Sequence, residues 1–131
     1  MYTWVEHTAE LELSIQADSE KEVLADALQA LAELLDPDRR PRPTETREVA
    51  VSAGDGAALL AAWLEELVFL AESEGFVGRE LSSCALRGER LETRVAGHLG
   101  RPRPVVKAVT YHRLCFEREG DGFAARVVLD V

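Results

Sequence analysis

Glu10 and Asp130 are the residues whose type and placement most directly suggest chemistry. Glu10 opens an alternating segment on the face opposite Leu11 and Leu13. Asp130 lies opposite Leu129 near the end of another such segment, and the α-carboxylate of Val131 follows at once. Carboxylates gathered at a strand end need a compensating positive charge, whether Arg, Lys or a bound cation. If the two segments are antiparallel neighbours, the start of one meets the end of the other, and Glu10, Asp130 and Val131 converge on one rim. Such an all-oxygen cluster suits calcium, magnesium or manganese rather than zinc. The plain alternative is two solvated strand ends.

Other side chains could support that rim. His7 stands three residues before Glu10, where it reads either as a further ligand or as an ordinary histidine at a strand entry. Lys107 interrupts the apolar run Val105, Val106, Ala108 and Val109, so it either snorkels to solvent or pairs with a rim carboxylate. His112 shares the parity of Leu114 and Phe116, which predicts a hydrogen-bonded, partly buried ring. His98, in a loop read from Gly97 to Pro104, carries no signal. Glu65, Glu66, Glu72 and Glu74 form the wet side of a helix, and Asp55 is its N-cap. No Ser or Cys has a base readable from the sequence, so no catalytic residue is assigned.

The elements that must position these groups follow from periodicity. Ala9 to Ala17 alternates strictly, a half-buried strand. Ser19 and Glu22 make a capping box ahead of an apolar helical stripe, Val23, Leu24, Ala27, Leu28, Leu31, Leu34 and Leu35, which Asp36 and Pro37 stop. The Pro- and Arg-rich stretch from Pro37 to Pro43 reads as an exposed connector. A short strand, Val49 to Ala53, precedes a second helix with Leu59, Leu60, Trp63, Leu64, Leu67, Val68 and Ala71 on its buried face, ending at Gly75. Strand segments follow over Phe76 to Leu86 and Leu91 to Ala96, then a hairpin turning at Glu119-Gly120-Asp121-Gly122. This order predicts one α+β domain over residues 1–131, a two-layer sandwich with two helices packed on a mostly antiparallel β-sheet.

Composition narrows the function. A net charge of −9 opposes stable binding of a phosphate backbone, whose affinity comes from Lys and Arg. An acidic surface suits a cation or a basic patch on another protein, and equally serves plain solubility. Cys84 and Cys115 fall in strand segments without zinc-ligand spacing, so they are read as buried reduced thiols. No membrane span or signal segment is legible, and a cytoplasmic location is the expectation. There is no glycine-rich phosphate loop.

Four blocks then stand in order along the chain: His7-Thr8-Ala9-Glu10, the helix from Leu59 to Leu67, Lys107-Ala108-Val109-Thr110-Tyr111-His112, and Asp130-Val131. Together they resemble the archease family over essentially the whole sequence. The resemblance implies a non-enzymatic protein cofactor that activates a GTP-dependent tRNA-splicing RNA ligase. Its role there would be to promote guanylate loading onto the ligase's catalytic histidine, and so multiple turnover in tRNA splicing and RNA repair. It also implies a divalent cation, calcium in the family, held by Glu10, Asp130 and Val131. Two departures stand out: Glu10 occupies the family's usual Asp position, moving the carboxylate outward by about one methylene, and Ala62 occupies a position that is commonly acidic. Two rival readings remain, a ligase-independent interaction or chaperone-like module and a small metal-dependent hydrolase using Glu10 and Asp130.

Overall fold

The computed structural model describes residues 1–38 and 42–131. Its elements are β1 (Tyr2–His7), β2 (Glu10–Ala17), α1 (Glu20–Leu35), β3 (Glu45–Ser52), α2 (Gly56–Glu74), β4 (Phe76–Arg87), β5 (Arg90–Leu99), β6 (Ala108–Glu119) and β7 (Gly122–Asp130). β1, β2, β7 and β6 form one sheet in that order, and β3, β5 and β4 form another; every pairing is antiparallel. The result is the expected α+β sandwich, with its β-structure divided between two sheets. Each helix touches strands of both sheets, so the two helices join the halves through a shared core.

Local chemistry fixes the helix ends. The Ser19 hydroxyl accepts a hydrogen bond from the Glu22 N–H at 3.2 Å, and the Glu22 carboxylate accepts from the Asp18 N–H at 3.0 Å. Asp55 caps α2 by accepting from the Ala58 N–H at 2.8 Å. Gly75 ends α2 in the left-handed conformation, φ 72°, where a side chain would be strained. Between the helices lies Trp63, fully buried, its indole N–H donating to the Leu24 carbonyl at 3.0 Å. Burying a ring of this size contributes a few kcal/mol, on the order of 3, and the hydrogen bond removes the cost of an unpaired N–H. No helix among the described residues is long and apolar enough to cross a membrane.

Three local expectations need correction. Ahead of the first strand read from the sequence lies β1, which turns into β2 through Thr8 and Ala9. Ala9 takes φ 60°, and without a Gly or Asn the turn carries no sequence signal. In the three-stranded sheet, β5 does not stop at Ala96. It continues through Gly97 and His98 to Leu99 because Gly97 is a site of close backbone approach, where a Cβ would lie 2.0 Å from the Val77 carbonyl oxygen. The connector expectation holds for Pro37, Asp38, Arg42 and Pro43, all exposed, whereas Arg39, Arg40 and Pro41 lie outside the described residues. Strict alternation also fails in β6. After Thr110 pairs with Val128 the next pair is Cys115 with Arg126, so four residues, Tyr111 to Leu114, stand against Val127 alone.

Candidate functional site

The register of the four-stranded sheet brings the rim residues together. Glu10 pairs directly with Asp130, His7 of β1 pairs with Glu10, and Ala108 of β6 pairs with Asp130, so one row crosses all four strands. Directly opposed residues project to the same face with Cβ atoms about 5 Å apart, where like charges are unfavourable. The main chain closes the row: the Val131 N–H donates to the Ala9 carbonyl at 3.1 Å, and the Lys107 N–H donates to the Asp130 carbonyl at 2.7 Å. Lys107 therefore borders the rim through its backbone. Its side chain is exposed and makes no ion pair among the described residues.

The cation that does reach the rim, at Glu10, is Arg113, which carries no signal in the sequence. Its Nη2 lies 3.2 Å from Glu12 Oε1 and 3.9 Å from Glu10 Oε2, and Arg126 Nε lies 3.8 Å from Glu12 Oε2. The β6 bulge makes this reach, with Arg113 itself at φ 56°. The same bulge overturns the parity expected of His112. That residue is exposed, and its backbone N–H donates to Thr110 Oγ1 at 3.3 Å. Tyr111 beside it is exposed as well, and its hydroxyl donates to Glu65 Oε1 at 3.3 Å. The Glu65 charge raises the Tyr111 phenol above its ordinary value, with burial adding to the shift. Ala62, one turn before Glu65 and Glu66 on α2, is half-buried and brings no carboxylate.

Whether a cation fits can be judged from the donors. Among the described residues no three His, Cys, Asp or Glu side chains form a group able to hold a metal by themselves. The rim offers two carboxylates and the main-chain oxygen of Val131, an all-oxygen set of the right chemistry for a hard cation but short of the six to eight ligands of calcium. Water or a partner would have to complete it.

A second ionic cluster was missed altogether. His98, read as a featureless loop residue, is buried at the end of β5 with Nε2 2.9 Å from Asp36 Oδ2. Since a carboxylate accepts, Nε2 carries the proton. Arg79 of β4 donates through Nη2 to the Asp36 carbonyl at 2.7 Å and lies 3.5 Å from Oδ2. Asp36 in turn ends α1, its N–H donating to the Ala32 carbonyl at 2.9 Å. The cluster ties the end of α1 to the three-stranded sheet. Cys84 and Cys115 are both free thiols and only half-buried; burial raises the Cys84 thiol above its usual range, which keeps it protonated.

Comparison with known proteins agrees with this architecture. Two solved structures share the fold at 24% identity: protein 1598 of Methanobacterium thermoautotrophicum, with a TM-score of 0.78 over 99% of this chain and 98% of that one, and an archease of Thermotoga maritima, with a TM-score of 0.71 over 100% and 98%. The protein archease of Methanopyrus kandleri is 32% identical over 97% of this chain and 96% of its own length, and that of Methanosarcina barkeri is 28% identical over 99% and 95%. The Archease protein family (MTH1598/TM1083) matches residues 2–131, the same span over which the strand order and the Glu10 to Asp130 pairing were traced. With both helices and all seven strands inside that match, the chain belongs to the archease family.

Proposed function

We propose that this protein is a non-enzymatic activator of a GTP-dependent tRNA-splicing RNA ligase, working through a divalent cation at the Glu10 and Asp130 rim. The observation that carries the reading is the pairing of Glu10 with Asp130 in a member of this family. Opposed carboxylates favour a bound cation, and the incomplete ligand set leaves positions that a partner's phosphate oxygens can occupy. A divalent cation held there neutralises phosphate charge, the chief requirement of nucleotidyl transfer. The chain's own part is to hold two carboxylates and the Val131 oxygen at the edge of a rigid sheet. Exposed Lys107 and His112 stand ready to meet the partner's anionic groups, with His7 beside Glu10. The net charge of −9 directs the protein toward a protein partner rather than toward RNA.

The test is multiple-turnover RNA ligation by the cognate ligase, with and without this protein, over a series of Mn²⁺ concentrations. A clear rise in turnover is expected, and Asp130→Ala should lose it while keeping its melting temperature. An unchanged rate with a competent ligase would favour a ligase-independent interaction module. That alternative draws on Phe69 and Tyr111, 57% and 63% exposed, beside the glutamates of α2. Turnover by the purified protein alone would instead point to a hydrolase.

A further inference from the structure

Arg113 stands apart from the other basic residues of the four-stranded sheet. It sits in the bulge where Tyr111 to Leu114 face Val127, with a backbone φ of 56° that L side chains rarely adopt. Its guanidinium is shared unequally between two carboxylates on one face of β2. Glu12 Oε1 is 3.2 Å away, and Glu10 Oε2 is at 3.9 Å, the outer limit of an ion pair. Burial follows the same order: the Glu12 side chain is 14% exposed and the Glu10 side chain 37%. Glu12 is the more enclosed of the two and holds the shorter contact to Arg113. Glu10 has water on one side and Asp130 directly opposite it. Of the two contacts, the one to Glu10 is longer, wetter and easier to exchange.

We infer that Arg113 is the resident counter-charge of the Glu10 and Asp130 rim, and that a divalent cation binds there by exchange, taking Glu10 from Arg113 while the guanidinium stays on Glu12. The inference rests on the reading of the rim as a cation site. Its consequence is that Arg113 sets the affinity of that site. A guanidinium left a few ångströms from a doubly charged ion would oppose it by roughly tenfold in binding even in a water-like dielectric. Arg126 supplies the internal contrast: it lies on the same sheet face and also approaches Glu12, at 3.8 Å, but pairs across from Ser14, four residues along β2 from Glu10. Exchange at Glu10 requires Arg113 and not Arg126, whereas a general field effect involves both.

The experiment is calorimetric titration of the full chain with calcium, comparing the parent with Arg113→Asn, Arg126→Asn and Asp130→Asn, with melting temperature as the fold control. Asn is chosen because it tolerates the left-handed backbone, and Arg113→Gln replaces it should the first variant not fold. Arg113→Asn is expected to bind calcium roughly tenfold more tightly, Arg126→Asn within about twofold of the parent, and Asp130→Asn not measurably. Equal tightening by Arg113→Asn and Arg126→Asn, or no tightening by Arg113→Asn, overturns the exchange while leaving a cation site that Asp130→Asn abolishes. Absence of binding in every protein, Arg113→Asn included, overturns the cation reading itself.

Discussion

The two ionic clusters of this protein are built to opposite specifications. At the end of β5, His98 and Asp36 are 7% and 9% exposed and meet at 2.9 Å, with Arg79 adding a 2.7 Å hydrogen bond to the same residue. At the rim, Arg113 reaches Glu12 and Glu10 at 3.2 and 3.9 Å, and Arg126 reaches Glu12 at 3.8 Å. Short, dry contacts hold one arrangement, because breaking any of them strands a charge in low dielectric. The long, wet contact of Arg113 to Glu10 costs little to break and leaves each partner hydrated, unlike the closer one to Glu12. The buried cluster therefore belongs to stability, and on the proposed reading the rim is the part that exchanges its contacts.

The largest expected effect tests the buried side of that contrast. Asp36→Ala removes the carboxylate that accepts from His98 and pairs with Arg79 at 3.5 Å, though not the main-chain carbonyl to which Arg79 donates, and should destabilise the fold by about 3–5 kcal/mol in urea unfolding. A loss below about 1 kcal/mol would mean the cluster is hydrated in solution and would dissolve the distinction.

Next in size is a contact that asks whether the distinction follows the sheet or the burial. Tyr2 of β1 belongs to the rim's sheet, yet its hydroxyl donates to Glu33 of α1, and burial followed by the Glu33 carboxylate raises its phenol well above the ordinary value. A folded-state value above the unfolded one means the protonated phenol is favoured by folding. Its contribution is fully present below about pH 10 and is lost as pH rises toward the folded value. Melting temperature should therefore fall above pH 10 in the parent by more than in Tyr2→Phe, which gives up about 1 kcal/mol at neutral pH. Identical alkaline profiles would show that this contact is loose, like the rim.

At the rim itself the expected change in stability is smaller and of opposite sign. Asp130→Asn removes a like-charge opposition to Glu10 and should leave the fold unchanged or stabilise it by about 0.5 kcal/mol in chelator. On the cation reading, added calcium then stabilises the parent and not the variant. A clear loss of stability for Asp130→Asn in chelator would make Asp130 a structural residue.

Much of this was legible in the sequence, for reasons that can be named. The caps at Ser19 and Asp55, the stop at Gly75 and the core position of Trp63 depend on local chemistry and periodicity, which sequence records directly. Glu10 and Asp130 were readable because parity survives along an unbroken strand, and β2 and β7 pair without a shift. Parity failed where β6 bulges, and with it the placement of His112 and the role of Arg113, since a bulge resets the alternation without a signature residue. His98 was lost for a different reason. Gly97 looks like a strand end when it is the point where two backbones touch, and nothing in the sequence separates those uses of glycine.

The smallest effect expected concerns the backbone under the rim. Among the described residues only Ala9 and Arg113 take positive φ without being glycine, and both lie beside Glu10, whereas the turns at Gly88 and Gly120 use glycine at φ 63° and 59°. A left-handed alanine costs roughly 1–2 kcal/mol, and glycine in its place costs about 0.5–1 kcal/mol through the freedom of the unfolded chain. Ala9→Gly should therefore stabilise the protein by a few tenths of a kcal/mol, read as a rise in melting temperature. Since the Ala9 carbonyl receives the Val131 N–H, the strain is held at the main-chain link between the first hairpin and the last strand. A rise would place stored strain at the edge that exchanges partners. A fall would show that this turn is relaxed as alanine and that strain at the rim belongs to Arg113 alone.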